Sequence, residues 1–135
     1  MKLFTLDFIN IYYDEKLRLI EYKWKKNSEH ITDQQYRETI NDLIKIIKTF
    51  EPLYVLANLT DQYYALPSDT QKWIIDHALN NVFLSGVKKF ALINSQYFLA
   101  KNIYQNLLDN RTNVKIFQDR QQAMSWLLNN GNDKQ

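Results

Sequence analysis

The sequence contains no cysteine, which excludes disulfide bonds, thiol catalysis and thiolate metal ligands. It has only two glycines, Gly86 and Gly131, and two prolines, Pro52 and Pro67, so no Gly/Pro-rich linker divides it into domains. Neither glycine lies in a strand-to-helix loop, which excludes the phosphate loops of nucleotide-binding enzymes. No Gly-x-Ser-x-Gly nucleophile elbow occurs either. We therefore expect no enzyme activity and no cofactor.

The net charge is also small, at +2 from 17 basic and 15 acidic residues. Nucleic-acid-binding domains usually have a much stronger basic footprint. Lys23, Lys25 and Lys26 surround Trp24, and we interpret them as the protective lysines of a solvated edge strand. No run approaches the roughly 20 apolar residues of a membrane span, and residues 1–10 lack a signal-peptide layout. We expect a cytoplasmic protein with no membrane span that binds no nucleic acid.

Short apolar segments predict the strands of a β-sheet. Ile9–Tyr13 and Leu17–Lys25 flank a polar turn and indicate an opening β-hairpin. Three later runs, Tyr54–Leu59, Lys89–Ile93 and Val114–Phe117, are nearly continuous, as in strands buried on both faces. The length of 135 residues suits one domain, which we place at residues 1–130, followed by a flexible tail at 131–135.

Capping residues indicate where the intervening helices begin. Capping-box spacing occurs at Thr32 with Gln35, Ser68 with Gln71, and Asp119 with Gln122, and Asn94 or Ser95 can cap a further helix. Apolar residues follow each start at helical spacing, and His77 within one such stripe is interpreted as a core histidine. Strands that alternate with helices form parallel sheets. We predict an α/β fold in the order ββαβαβαβα, with one mostly parallel sheet, an N-terminal antiparallel hairpin and helices packed on the sheet.

Four short segments of the chain match the pattern of one known family. These segments are Tyr13-Asp14, Glu21-Tyr22-Lys23-Trp24, Tyr54-Val55-Leu56-Ala57-Asn58 and Ala123-Met124-Ser125-Trp126-Leu127. With the element order, they resemble the STAS family, the domains of sulfate transporters and anti-sigma factor antagonists, and more narrowly its small stand-alone bacterial members. The resemblance covers nearly the whole chain and implies a regulatory domain that binds a protein partner.

The resemblance also singles out Ser68. Anti-sigma factor antagonists dock on a partner kinase and are switched by phosphorylation of a serine in an Asp-Ser-Ser-Gly-like turn. The corresponding turn is Pro67-Ser68-Asp69-Thr70, in which only the serine is kept. Ser68 therefore has two interpretations, as a helix cap that satisfies a backbone N–H and as a phosphorylation site.

Polar and aromatic side chains follow two of the predicted parallel strands. Ligands of open α/β sheets gather beyond the carboxyl ends of the strands, so these side chains define a candidate pocket or partner surface. Ordinary connector chemistry, in which such side chains satisfy the local backbone, is the alternative. The candidate residues are Asn58, Asp61, Tyr63, Tyr64 and Ser68 after one strand, and Asn94, Ser95 and Tyr97 after the next.

Two functions fit these observations. The first is a non-enzymatic regulatory module that binds a protein partner through the surface around residues 58–68. The second is a carrier or sensor of a metabolite or lipid, which predicts a cavity beneath Tyr63, Tyr64 and Tyr97. Self-association through the edge of the opening hairpin is a further expectation. We expect no metal site, since His30 and Glu29 have no third ligand at suitable spacing.

Overall fold

The computed structural model describes residues 2–93 and 113–129. Within them, one six-stranded sheet has its strands in chain order. The first three strands pair antiparallel, and the third to sixth pair parallel, which confirms the predicted α/β fold. The strands are β1 (Lys2–Thr5), β2 (Ile9–Asp14), β3 (Leu19–Trp24), β4 (Tyr54–Asn58), β5 (Lys89–Ile93) and β6 (Val114–Phe117).

Helices connect the parallel strands. Among the described residues they are a 3₁₀ turn (Lys26–His30), α1 (Asp33–Phe50), α2 (Ser68–Trp73), a π-helical segment (Ile74–Leu79), α3 (Asn80–Leu84) and α4 (Arg120–Leu128). The helix predicted after Asn94 or Ser95 lies outside the described residues, as does the predicted tail at 131–135. In this part of the chain, every helix is too short or too polar to cross a membrane.

The N-terminal edge of the sheet differs from the prediction. Strand β1 pairs along the outer side of β2, with Lys2 opposite Tyr13, so the edge of the opening hairpin is already covered. Strand β3 is the third of six strands, and Trp24 is buried at 1% exposure, so the interpretation of its lysines as an edge-strand device is wrong. Lys25 instead donates from Nζ to the Leu6 carbonyl at 2.7 Å, which ties β3 to the β1–β2 turn.

The two faces of the sheet bury different helices. In β3, Ile20, Tyr22 and Trp24 point to the face that packs against α1 and the run from α2 to α3. Leu19 points to the opposite face, where α4 contributes Ala123 and Leu127. This alternation is the two-residue period of a strand, and β4 and β5 are apolar on both faces because each face is covered.

Helix α1 has a confirmed start and an unusual end. The Thr32 hydroxyl accepts from the Gln35 amide at 3.1 Å, and the Gln35 side chain accepts from the Thr32 amide at 2.9 Å, completing the predicted capping box. At the other end, Glu51 takes the left-handed conformation (φ 50°, ψ 56°) and donates its N–H to the Ile47 carbonyl. Glycine adopts this conformation without the steric penalty that a Cβ brings.

The helical run from Ser68 to Leu84 corrects two predictions. Its N-cap is Pro67 without a side-chain cap bond, so Ser68 is the first helical residue and the cap interpretation of Ser68 is wrong. Ile74–Leu79 in the middle of the run is a π-helical segment, and its buried residues Ile74, Ile75, Ala78 and Leu79 continue at helical spacing to Val82. His77 lies beside this buried stripe and is exposed rather than in the core, with its ring stacked on Trp73 at 5.0 Å.

The other two helix ends agree with the sequence. The Asp119 carboxylate caps α4 by accepting from the Gln122 amide at 2.8 Å. Gly86 follows the end of α3 with φ +109°, a conformation that favours glycine, as expected for its position at the helix exit.

Replacing Glu51 by glycine should stabilise the domain. Glu51→Gly removes the Cβ that strains a left-handed residue, and we expect the free energy of unfolding to rise by about 0.5–1 kcal/mol in urea denaturation. Glu51→Ala is the matched control because it removes the same carboxylate and keeps the Cβ. Equal stability of the two variants would contradict the explanation.

Candidate functional site

The candidate site lies where the carboxyl ends of β3 and β4 meet the first turns of α1 and α2. The 3₁₀ turn follows β3, and the loop of residues 59–67 follows β4. The two connections touch through Ser28, whose side chain is fully buried. Its hydroxyl donates to the Asp61 carbonyl and accepts from the Tyr63 amide, each at 3.0 Å. One serine therefore fixes the position of two predicted site residues.

Asn58 and Asp61 hold the start of the loop. The Asn58 Oδ1 accepts from the Thr60 amide at 3.1 Å, which is the local backbone bond that ordinary connector chemistry predicts. The Tyr63 hydroxyl donates to Asp61 Oδ1 at 3.1 Å. Asn58, Asp61 and Tyr63 are all partly exposed, so an approaching molecule can reach them.

Tyr64 turns toward the helices and takes part in a polar network centred on Asp33. Its hydroxyl donates to Asp33 Oδ1 at 2.9 Å, and its ring packs 5.5 Å from that of Tyr36. Thr70 donates to the same carboxylate oxygen at 2.6 Å. Arg37 donates from Nε to Asp33 Oδ2 at 2.9 Å. The network therefore joins α1, the loop and α2.

Arg37 extends this network onto the surface. A terminal nitrogen of its guanidinium group donates to Thr70 Oγ1 at 2.9 Å and lies 3.8 Å from an Asp69 carboxylate oxygen. The guanidinium carbon lies 5.3 Å from the centre of the half-buried Trp73 ring. Farther along the same seam, His77 Nε2 is 3.1 Å from Asn41 Oδ1. The seam between α1 and the run from α2 to α3 is thus closed by polar contacts on its outer side.

The hydrogen bonds also set the acidity of the two central groups. Partial burial by itself would raise the pKa of Asp33, but hydrogen bonds from Thr70 and Tyr64 and the Arg37 charge outweigh it and lower that pKa. Burial, followed by the hydrogen bond to Asp33, raises the pKa of Tyr64 to about 12. Asp33 is therefore a weak base and Tyr64 a weak acid near neutral pH.

Comparison with known proteins identifies the family. A family model described as SpoIIAA-like matches residues 19–128. The chain belongs to the SpoIIAA-like family. This confirms the resemblance to STAS-like anti-sigma factor antagonists that the sequence segments indicated. Searches among curated proteins and among solved structures gave no match.

The site of this SpoIIAA-like domain contains residues that the sequence prediction did not include. Ser28, Asp33 and Arg37 lie 31–37 residues before their partners in the loop and α2, and one of those partners, Thr70, was also not predicted. Asp33 follows the capping threonine, so its position alone has an ordinary helix-start explanation. Of the predicted site residues, Asn94, Ser95 and Tyr97 lie outside the described residues.

A small cavity lies beneath the site rather than at its surface. It has a volume of about 30 Å³, and Tyr22, Tyr36, Ala78, Leu79 and Phe90 are among the residues around it. The cavity lies between the sheet, α1 and the π-helical segment, and neither Tyr63 nor Tyr64 lines it. The carrier hypothesis places its cavity beneath these two tyrosines and Tyr97, and Tyr97 lies outside the described residues. Pockets that bind small molecules usually measure about 300–1,000 Å³, so this cavity is too small for a metabolite or lipid.

Asp33→Asn should destabilise the domain in a pH-dependent way. The pKa of Asp33 is lower in the folded protein than in the unfolded chain. The ionised carboxylate therefore adds to the free energy of unfolding above the unfolded-state pKa, and this stabilisation is lost as pH falls through the folded-state pKa. We expect a loss of about 1 kcal/mol at pH 7, since the carboxylate is partly exposed, and a smaller difference below about pH 4. Urea denaturation across this range measures it.

Asp69→Asn is the control for this experiment. The Asp69 side chain is 86% exposed and lies 3.8 Å from Arg37, so the substitution should change stability by less than about 0.5 kcal/mol. A pH-independent loss in Asp33→Asn, or an equal loss in Asp69→Asn, would show that the Asp33 carboxylate does not carry the network.

Ser28→Ala should loosen the loop of residues 59–67. The substitution leaves the part-buried Asp61 carbonyl and Tyr63 amide without their shared hydroxyl partner, at a cost of about 1 kcal/mol or more. Hydrogen exchange should accelerate at the Tyr63 amide. Ser125→Ala, at an exposed position of α4, should leave both stability and exchange unchanged. Unaltered exchange at Tyr63 in Ser28→Ala is the result that would contradict this role.

Proposed function

We propose that this SpoIIAA-like domain is a non-enzymatic regulatory module of a bacterial cytoplasm. It docks on a protein partner through the surface formed by Asn58, Asp61, Tyr63, Tyr64 and Ser68, with Asn94, Ser95 and Tyr97 as further members. The observation that carries the proposal is the rigid mounting of this surface. Ser28 and Asp33 hold the loop from two sides, while Asp61, Tyr63 and Ser68 keep exposed surface. A preorganised surface loses little entropy when it binds.

The titratable groups of the site favour binding over catalysis. A general base or acid works best with a pKa near the operating pH. At this site the pKa of Asp33 is lowered and that of Tyr64 is raised to about 12, which moves both away from neutrality. The Asp33 carboxylate is also occupied by three donors, so it has a structural task already. These features support a module that binds without chemistry.

Ser68 is the residue through which we propose that docking is regulated. It is exposed in the first turn of α2, where a phosphate would meet the positive end of the helix dipole. Its hydroxyl makes no hydrogen bond within the described residues and does not cap the helix. A phosphate would add roughly −1.5 to −2 charges beside the exposed Asp69 and so change what the surface binds.

Charge reversal at Asp61 should weaken recovery of the partner. The tagged protein is expressed at its native level and recovered from its own cell extract, and bound proteins are identified by mass spectrometry. We expect one stoichiometric partner, with recovery reduced about tenfold or more in Asp61→Lys because misplaced charges cost several kcal/mol in an interface. Glu15→Lys, an exposed reversal at the opposite end of the sheet, is the control. Equal recovery with both variants would rule out this docking surface.

Phosphorylation should occur at Ser68. Incubation of the folded protein with the same extract and ATP should add one phosphate, located by peptide mass spectrometry. Ser68→Ala should abolish the incorporation, and Ser125→Ala, which removes an exposed serine of α4, should leave it intact. If phosphate is still incorporated in Ser68→Ala, the phosphorylated residue is not Ser68. The proposed regulation would then be wrong, while the docking proposal depends on the partner-recovery experiment alone.

A further inference from the structure

The end of the sheet opposite the candidate site gathers basic side chains from several elements. Arg18, in the β2–β3 turn, donates to the Glu51 carbonyl at 3.0 Å, which joins that turn to the end of α1. The Lys88 amide donates to the Leu53 carbonyl at 2.7 Å, and Lys48 donates to Asn81 at 3.1 Å. These contacts join the α3–β5 connection to the same end, which we call the basic end. Its exposed basic residues are Lys2, Lys16, Arg18, Lys45, Lys48 and Lys88.

The charge of the basic end is not balanced locally. Its acidic residues in the described part of the chain are Asp14, Glu15 and Glu51, and none of them is in an ion pair with the six basic residues. Lys45 and Lys48 lie in the last turns of α1, where cations complement the negative end of the helix dipole. That explanation covers two of the six, because the other four, Lys2, Lys16, Arg18 and Lys88, lie outside α1.

Exposed leucines lie among these charges. Leu84, the last residue of α3, is 85% exposed, and Leu17, in the β2–β3 turn, is 38% exposed. Leu3, the remaining large exposed hydrophobic residue in the described part, is next to Lys2. The neighbouring Ser85 hydroxyl closes the helix by donating to the Val82 carbonyl at 2.6 Å, so Leu84 is not needed to end α3. Lys48 is hydrogen-bonded to Asn81 in the same helix as Leu84, and Lys88 follows four residues after Leu84, so the exposed leucine lies beside positive charge without a structural task.

We propose that the basic end docks on an anionic lipid bilayer, with Leu84 inserted below the headgroups and the lysines placed among them. Peripheral proteins combine these two contributions, because apolar insertion and attraction to anionic lipid add. Each basic residue near such a surface contributes an affinity factor of about five. The candidate site is at the other end of the domain and would remain open to its partner.

Vesicle sedimentation tests the proposal. The full chain is mixed with phosphatidylcholine vesicles that contain or lack 30% phosphatidylglycerol (about one anionic lipid in three) and with double-stranded DNA. We expect binding to the anionic vesicles alone. Leu84→Gln should weaken it about fivefold to tenfold through lost apolar burial, and Lys88→Glu by about fivefold or more. Leu84→Met, which keeps an apolar side chain at the same position, and Lys26→Glu, an exposed charge reversal at the opposite end, are the matched controls.

Three results would overturn the proposal. The first is the absence of sedimentation with anionic vesicles by the unmodified protein. The second is binding that is unchanged in Leu84→Gln, or reduced equally by Lys26→Glu, because the contact would then be an unspecific charge effect. The third is DNA binding as tight as vesicle binding, which would make the partner a polyanion rather than a bilayer. Thermal unfolding of each variant separates a lost contact from a lost fold.

Discussion

Parallel pairing of β3 with β4 is the constraint on which the rest of the structure depends. Because Leu19 lies beside Tyr54 in parallel register, the chain must run back from the carboxyl end of β3 to the amino end of β4. The 18-residue helix α1 makes this connection. Each later parallel strand imposes the same direction. Helices α1, α2 and α4 therefore begin at the carboxyl end of the sheet, where their N-caps are Thr32, Pro67 and Asp119. Helices α1 and α3 end at the opposite end of the sheet, near Glu51 and Gly86.

The same constraint explains why the candidate site is also a structural joint. The first turns of α1 and α2 start side by side, so Asp33 can accept from Thr70 across them and from Tyr64 in the intervening loop. These residues are fixed before any partner arrives. In the proposed docking surface, affinity then depends on the exposed parts of Asp61, Tyr63 and Ser68, while Ser28 and Asp33 keep those parts in place.

Much of the fold could be predicted from local sequence patterns, and the exceptions have physical causes. The Thr32 and Asp119 caps, the doubly buried β4 and β5 and the glycine exit at Gly86 all depend on nearby residues, and each was predicted. Strand β1 was not predicted, because its four residues, one of them a lysine, are too few to show the alternating pattern of a strand.

His77 and Ser68 were misplaced for related reasons. His77 is at the border of the helical stripe, three residues after Ile74 and next to Ala78, and spacing alone does not show on which side of that border a residue lies. Ser68 has capping-box spacing to Gln71, but Pro67 takes the cap position instead, with the φ of −60° that its ring imposes. The Asp33 network was out of reach because its partners lie 31 and 37 residues away, and no local pattern encodes such a distance.

The separation of the two ends has a consequence for how the domain meets other molecules. Helix α1 alone is about 27 Å long, since each of its 18 residues rises about 1.5 Å. At physiological ionic strength, mobile ions screen a charge beyond about 8 Å. A molecule at one end therefore experiences mainly the exposed charges of that end. The net charge of +2 is a sum over the whole chain that neither end presents to a binding partner, and substitutions at one end change the electrostatic potential at the other only weakly.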